Sequence, residues 1–244
     1  MNTSIPSWVP VRPSAAAALL RSGVRTIDHG LCRLEGIREY SDDEECLFRI
    51  AAIRSHRRIE LAGSTVAIAP GDLVFDLHLA NDRVPPADPR GPGLAWAQRF
   101  RRRMRKSFVD LANFVRAHPE LAEVRAVRAR CAIASPAGCP KIARLLGSFG
   151  LRPAQPTRQP SPLARPFGIV GSLWLWAMVW TYNAGCLRGR TLIRQRDDYW
   201  IAWTEFTRRF GETEPSPRRF KGPPALVHSA AASGRRRVPC HRRP

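Results

Sequence analysis

The stretch GDLVFDLHLAND, Gly71–Asp82, indicates how the rest of this 244-residue chain is arranged. Its large apolar residues recur at every second position, which is the period of a β-strand. Four of them share one face of the predicted strand: Leu73, Phe75, Leu77 and Leu79. The opposite face carries Val74, Asp76 and His78. We therefore predict a strand whose apolar face packs on the core and whose other face presents a carboxylate and an imidazole.

Asp76 and His78 are the candidate catalytic residues. Residues two apart on a strand are separated by about 7 Å at Cα, so these two side chains can interact directly or through one water. In a catalytic role, Asp76 would orient His78 as a general base or acid. The alternative is a structural Asp–His hydrogen bond on a half-buried strand, and the sequence leaves both interpretations open.

Four further residues are predicted to bind a ligand beside this pair. Asn81 and Asp82 follow the strand and can form hydrogen bonds with a substrate. Arg188 and Arg190 lie two positions apart, and their guanidinium groups can clamp a phosphate. The predicted site therefore suits an anionic or carbohydrate-linked ligand.

No sequence pattern typical of a metal or cofactor site accompanies these residues, and we predict neither. Zinc sites usually show Cys or His residues in paired short spacings, whereas the six cysteines here are scattered. Unpaired thiols without an export signal favour the cytoplasm. The acidic run Asp42–Glu45 can be interpreted as a divalent metal site for nucleotide-sugar chemistry, or as a turn or a Ser41/Glu44 capping box. We favour the turn or capping box.

The segments around Gly71–Asp82 predict an α+β fold. Three strands are expected before it, at Cys46–Ile53, Arg58–Leu61 and Thr65–Ala69, and short links make them antiparallel. Leu94–Ala117 is predicted to be a long basic helix, since its apolar residues recur at spacings of three and four. This apolar stripe contains Ala97, Phe100, Met104, Phe108, Leu111 and Val115.

Beyond this helix, strands and helices alternate. Glu123–Arg130 is predicted to be a strand, Cys139–Phe149 a helix and Leu151–Ala154 a short strand, an order typical of parallel crossovers. Thr191–Ile201 is expected to be extended and Thr204–Phe210 helical. The sheet is therefore predicted to be mixed but mostly antiparallel, covered by the long basic helix and further helices.

The two ends of the chain are expected to lie outside the folded domain. Residues 1–22 are rich in Pro and Ala and are predicted to be flexible, although Val24–Leu34 shows helical spacing. The domain is predicted to span residues 23–210. Residues 211–244 contain many Pro and Arg and few large apolar residues, which is typical of a disordered basic tail.

The apolar segment Phe167–Tyr182 has two interpretations. It is shorter than the roughly 20 residues that a membrane-spanning helix needs, so we favour a buried core helix. Its tryptophans and flanking arginines also suit a helix that lies on an anionic lipid surface. The N-terminus lacks the pattern of a signal peptide, and we expect a cytoplasmic protein that is peripheral at the membrane in this second interpretation.

The charge of the chain points to an anionic partner. The 40 Lys and Arg residues outnumber the 20 Asp and Glu residues, which gives a formal net charge of +20. Such a charge attracts nucleic acid, anionic lipid or acidic polymers by long-range attraction. Arg99, Arg102, Arg103 and Lys106 lie around the long helix, where they can follow a phosphate backbone or form a solvated face.

Three stretches resemble the YkoP-like bacterial domain family: Gly36–Ile50 (GIREYSDDEECLFRI), Gly71–Asp82 with the basic helix after it, and Asn183–Trp203. Together they span about residues 25–210. Similar domains occur beside or fused to polysaccharide-deacetylase-like proteins, so the resemblance implies a role in cell-envelope polysaccharide or glycolipid metabolism. The sequence has no His-x-x-x-His spacing, so the deacetylase activity itself is not predicted.

The function predicted from these observations is a binding module or small enzyme that acts on an anionic or carbohydrate-linked substrate. Asp76 and His78 would carry any chemistry, and Asn81, Asp82, Arg188 and Arg190 would bind the ligand. Two alternatives remain open: a non-enzymatic nucleic-acid-binding protein and a peripheral membrane scaffold protein.

Overall fold

The computed structural model describes residues 15–61, 65–88, 91–131, 140–153, 165–187 and 197–211. They form five α-helices and seven β-strands. The helices are α1 (Ala15–Leu34), α2 (Leu94–Ala117), α3 (Pro140–Ser148), α4 (Arg165–Asn183) and α5 (Trp203–Phe210). The strands are β1 (Phe48–Arg54), β2 (Ile59–Glu60), β3 (Ala67–Ile68), β4 (Leu73–Leu79), β5 (Ala126–Cys131), β6 (Arg152–Pro153) and β7 (Asp197–Ala202).

Five of the strands form one mixed sheet in the order β1-β4-β5-β7-β6. β4 pairs antiparallel with β1 and parallel with β5, and α2 forms the crossover between β4 and β5. β7 then pairs antiparallel with both β5 and β6. The predicted α+β class, with a mixed and mostly antiparallel sheet, is therefore confirmed.

One face of this sheet is covered by helices. Leu73, Phe75 and Leu77 of β4 belong to the large apolar core, as the alternation predicted, and we call their side the helix-covered face. Residues of α2, α3 and α5 pack on it, among them Phe108, whose ring stacks on Phe48 with centroids 5.3 Å apart. Leu79 departs from the prediction, because it lies at the end of the strand and is 39% exposed.

The opposite face is divided between apolar and charged residues. At one end, the β2–β3 hairpin forms a small second core in which Ile59 and Ile68 contact residues of the sheet, including Val74 and Trp200. Further along β4 the same side carries Asp76 and His78, and we call this side the charged face. The hairpin therefore covers only part of this face with apolar side chains.

Helices α1 and α4 contact each other, and both differ from the sequence predictions. α1 begins at Ala15 rather than at Val24, so a segment expected to be loose is helical. α4 was predicted to be a buried core helix, but it buries Met178 and Thr181 while Leu173 and Trp176 are exposed. None of the described helices combines the length and the apolar character that a membrane-spanning segment requires.

Candidate ligand-binding site

The charged face brings together side chains from three neighbouring strands. β4 lies between β1 and β5, so Asp76 has Ala51 on one side and Arg128 on the other. His78 lies opposite Arg49 of β1. Residues that are paired across strands point to the same side of a sheet. The backbone register therefore places two arginines next to the predicted Asp–His pair.

Asp76 is the centre of this cluster. The residue is 2% exposed, and its carboxylate accepts hydrogen bonds from Arg128 Nε at 2.9 Å and from Arg128 Nη2 at 2.5 Å. Arg130 Nη2 lies 3.2 Å from Asp76 Oδ2, and His78 Nε2 lies 3.5 Å from the same oxygen. The guanidinium of Arg128 also lies 5.6 Å from the centroid of the Trp200 ring. The cluster thus combines a two-point Arg–carboxylate pair with two further basic groups.

These contacts keep Asp76 ionised. Burial by itself would raise the pKa of this carboxyl group, because it disfavours the charged form. The hydrogen bonds from His78 and Arg128, with the charges of Arg128 and Arg130, outweigh burial and lower the pKa of Asp76 to about 2. A carboxyl group with this pKa does not donate protons near neutral pH. Its chemical role is therefore to hold and orient its basic neighbours.

Arg130 and His78 are the members of the cluster that solvent reaches. The Arg130 side chain is 49% exposed and the His78 side chain is 27% exposed, whereas that of Arg128 is 14% exposed. Within the described part of the chain, Arg130 pairs with Asp76 through one nitrogen, and a guanidinium has five N–H donors. The arrangement can therefore bind an anion on Arg130 and place His78 beside it.

The residues after β4 are held in a second charged network. Asn81 and Asp82 lie in a short 3-10 helix, Asn81–Arg83. Asp82 accepts hydrogen bonds from Arg49, whose side chain is 8% exposed, at 3.2 Å. Glu39 completes the network, because it pairs with Arg49 at 3.4 Å and with Arg83 at 2.8 Å. Asp82 therefore anchors Arg49 at the edge of the charged face, while Asn81 is half-buried on the same short helix.

Arg188 and Arg190, the predicted phosphate clamp, lie outside the described residues. The structure places two other arginines, Arg128 and Arg130, beside Asp76. Sequence reasoning identified their strand but did not use them. Their spacing of two was a signal, because it puts both on one face of β5. What the sequence did not show is that this face is the one that carries Asp76.

The acidic run after α1 pairs with the basic helix. Asp43 forms an ion pair with Lys106, and Glu45 lies 3.1 Å from Arg103. The run forms a turn in which Ser41 Oγ accepts a hydrogen bond from the Asp43 amide at 3.2 Å. The predicted turn is confirmed, but the Ser41/Glu44 capping box is wrong, since no helix begins there. In the described ranges, no three His, Cys, Asp or Glu residues are grouped as metal ligands.

Two cavities lie on the other side of the sheet from Asp76. One has a volume of about 470 Å³ and lies between α2, α3 and α5, with Arg101, Arg105 and Phe149 among its lining residues. The other, of about 660 Å³, lies between α2 and α5 and includes Trp203 and Thr207. His78 lines neither of these two cavities. The charged cluster therefore lies apart from both cavities, with Arg130 and His78 in contact with solvent.

Comparison with protein families gives one match, in which residues 18–135 correspond to the YkoP domain. The matched segment runs from within α1 to just beyond β5, so it contains Asp76, His78, Arg128, Arg130 and Arg49. Neither the search of curated proteins nor the search of solved structures found a match.

Proposed function

Because this chain belongs to the YkoP-like domain family, with the charged cluster inside its matched segment, we propose that it is a binding module for an anionic, carbohydrate-linked ligand. Arg130 and His78 contact the anionic group, and Asp76 and Arg128 hold them in place. The observation that supports this proposal most directly is the half-exposed Arg130 guanidinium, fixed beside His78 by a buried, ionised carboxylate.

The charges of the cluster favour an anion. With His78 neutral, the positive charges of Arg128 and Arg130 exceed the negative charge of Asp76 by one. Binding therefore neutralises the cluster, and the exposed N–H groups of Arg130 suit a phosphate or carboxylate. The ligand class follows from this chemistry together with the cell-envelope role that the family resemblance implies, and a sugar phosphate combines the two.

The same geometry also defines the enzymatic version of the proposal. If His78 Nε2 carries its ring proton and donates a hydrogen bond to Asp76, the other ring nitrogen is an acceptor that can take a proton from a bound substrate. The permanent negative charge of Asp76 would stabilise the imidazolium that results. Binding requires Arg130 and chemistry requires His78, so the two versions can be separated by mutation.

The test is isothermal titration calorimetry of the full chain with glucose 1-phosphate, using glucose as the uncharged comparison. We expect glucose 1-phosphate to bind and glucose not to bind. Arg130→Gln should lower the affinity for glucose 1-phosphate by about tenfold, because it removes a charge-assisted hydrogen bond. Arg58→Gln is the matched control, since Arg58 is exposed on the hairpin at the other end of the charged face.

Equal affinity for glucose and glucose 1-phosphate would contradict the proposal, and so would equal effects of Arg130→Gln and Arg58→Gln. His78→Gln separates the two versions. If it removes turnover of the sugar phosphate while binding persists, the protein is an enzyme. If the wild-type protein does not turn over the sugar phosphate and His78→Gln only weakens its binding, the protein is a binding module.

A second candidate function, peripheral attachment to an anionic membrane, is favoured by the exposed side chains of α1 and α4. Large apolar residues are exposed on both helices: Leu19, Leu20, Ile27, Leu31 and Leu34 on α1, and Val170, Leu173 and Trp176 on α4. Arg21 lies 5.0 Å from the Trp180 ring, and Arg25 lies 5.6 Å from the Tyr182 ring. Apolar and aromatic side chains next to arginines suit the surface of a bilayer with anionic headgroups.

Liposome flotation tests this second candidate. We expect the protein to float with vesicles that contain phosphatidylglycerol and to remain behind with vesicles of phosphatidylcholine alone. Leu173→Gln with Trp176→Gln should reduce flotation, whereas Leu94→Gln should not, although Leu94 is 77% exposed. Dimers in solution that these α4 substitutions dissociate would instead assign the apolar surface to a second copy of the chain.

A further inference from the structure

The arginines of α2 differ in whether acidic residues neutralise them. Arg103 and Lys106 pair with Glu45 and Asp43 of the turn after α1. Arg101, Arg102 and Arg105 lie on another side of the helix, and among the described residues none of them forms an ion pair. Like charges at i and i+4 destabilise a helix, so Arg101 and Arg105 oppose each other. A positive surface of this kind is stabilised when an anion binds to it.

These three arginines line the cavity of about 470 Å³ between α2, α3 and α5. Arg209 of α5 lines it as well, and Phe149 and Phe210, which are 5% and 3% exposed, form apolar parts of its wall. A volume of this size is within the range of small-molecule sites, about 300–1,000 Å³. The cavity thus combines four cationic groups with two aromatic rings.

Backbone geometry contributes to the position of Arg209. Gly150 follows α3 with a φ of +89°, a conformation that glycine adopts more easily than other residues. A Cβ atom at this position would lie 2.9 Å from the Arg209 guanidinium carbon, so the absence of a side chain leaves room for that group. Glu205 accepts hydrogen bonds from Arg209 at 2.7 and 3.0 Å and neutralises part of the local charge. The four arginines that line the cavity, together with Glu205, therefore give it a formal net charge of +3.

We propose that this cavity is a second anion site, which binds a small organic polyphosphate. The phosphate groups lie between Arg101, Arg105 and Arg209, and the ring-shaped or apolar part of the ligand contacts Phe149 and Phe210. Four arginines grouped around one cavity favour a small molecule over an extended nucleic-acid backbone, which would follow the whole length of the helix. The site is on the helix-covered side of the sheet and is independent of the Asp76 cluster.

Calorimetry of the full chain with ATP, tripolyphosphate and adenosine tests the proposal. We expect ATP to bind most tightly, tripolyphosphate to bind more weakly and adenosine not to bind. The double variant Arg101→Gln/Arg105→Gln should lower the affinity for ATP by at least about tenfold, since it removes two charged donors. Arg99→Gln is the matched control, because Arg99 is an exposed arginine of the same helix that does not line the cavity.

A second variant has the opposite expected effect. Glu205→Gln removes the acid that neutralises Arg209, and it should tighten ATP binding by about twofold to fivefold, the range expected for a partly exposed ion pair. Equal losses for the double variant and for Arg99→Gln, or no gain from Glu205→Gln, would overturn the proposal. Preferential binding of a single-stranded oligonucleotide, weakened equally by substitution of Arg99 and Arg101, would overturn it in favour of nucleic acid.

Discussion

The two faces of the sheet are stabilised in different ways, although the same strands form both. On the helix-covered face, Phe75 and Leu77 belong to one continuous apolar core together with residues of α2, α3 and α5. On the charged face, Asp76 is as deeply buried as its neighbours, but its contacts are ion pairs with Arg128 and Arg130. The first face is packed mainly with apolar side chains, whereas the second keeps charges at the boundary with solvent.

This difference has a functional consequence. An apolar core gains free energy from the surface it removes from water, so the sheet residues within it, such as Phe75 and Leu77, are closed to ligands. A buried carboxylate is instead held by ion pairs with fixed basic partners, and these partners keep N–H donors that can bind a ligand. Arg130 illustrates this, since it holds Asp76 at 3.2 Å while its side chain remains 49% exposed. The sheet itself can therefore offer binding residues on its charged face, whereas a site on the helix-covered side has to lie among the helices.

The largest effect is predicted on the helix-covered face. Phe108 is 1% exposed, and besides Phe48 its ring lies near Phe149, Phe206 and Phe210. Phe108→Ala should lower the free energy of unfolding by about 3–5 kcal/mol, because it removes a large apolar side chain and leaves a cavity. Urea denaturation followed by circular dichroism measures this change.

Leu94→Ala is the control on the same helix. Leu94 is 77% exposed, so its substitution should change the free energy of unfolding by less than about 0.5 kcal/mol. If Phe108→Ala lowered the free energy of unfolding as little as Leu94→Ala does, α2 would not pack on the sheet through Phe108.

A smaller effect is predicted on the charged face. Asp76→Asn removes the carboxylate that neutralises Arg128, whose side chain is 14% exposed. We expect a loss of about 2–4 kcal/mol in the free energy of unfolding, since a largely buried charge loses its partner. Glu60→Gln, which breaks the exposed pair with Arg58, should cost less than about 0.5 kcal/mol. Equal costs would mean that the Asp76 cluster contributes no more than a surface ion pair.

The features of the two faces that sequence could predict were the local ones. Alternation located the strand of Asp76, and helical spacing located α2 at Leu94–Ala117, with both ends as the structure has them. The partners of Asp76 could not be predicted in this way, because Arg128 lies beyond a helical crossover and pairing register across it depends on tertiary packing. The exposure of α4 had the same limit, since its apolar residues surround the helix and show no periodicity that separates a buried side from an exposed one.

The pH dependence of stability is predicted to differ between the faces, because among the described residues the carboxyl group with a strongly lowered pKa, Asp76, lies on the charged face. The pKa of Asp76 is lowered from 3.8 to about 2 in the folded protein. The unfolded chain therefore binds a proton at higher pH than the folded chain does. The stabilisation is present above about pH 5 and is lost as the pH falls towards 2, and it amounts to roughly 2 kcal/mol.

Urea denaturation of the wild-type chain and of Asp76→Asn between pH 7 and pH 2.5 measures this contribution. Other carboxyl groups titrate in both proteins, so the difference between the two is the relevant quantity. We expect that difference to shrink as the pH falls below 4. A difference that stays constant down to pH 2.5 would show that Asp76 does not titrate differently in the folded and unfolded states.

The smallest effect concerns a polar contact within the helix-covered face, where the comparison predicts that any polar group must have a partner. Ser107 is 0% exposed, and its Oγ accepts a hydrogen bond from the Leu47 amide at 2.8 Å and donates one to the Arg103 carbonyl at 2.8 Å. Ser107→Ala leaves the Leu47 N–H buried without an acceptor, which should cost about 1–2 kcal/mol. Ser148→Ala, which removes an exposed hydroxyl bonded to the Leu145 carbonyl at 2.7 Å, should be nearly neutral. If both substitutions are neutral, water reaches the Leu47 amide, and this face is less completely dehydrated than its aromatic core implies.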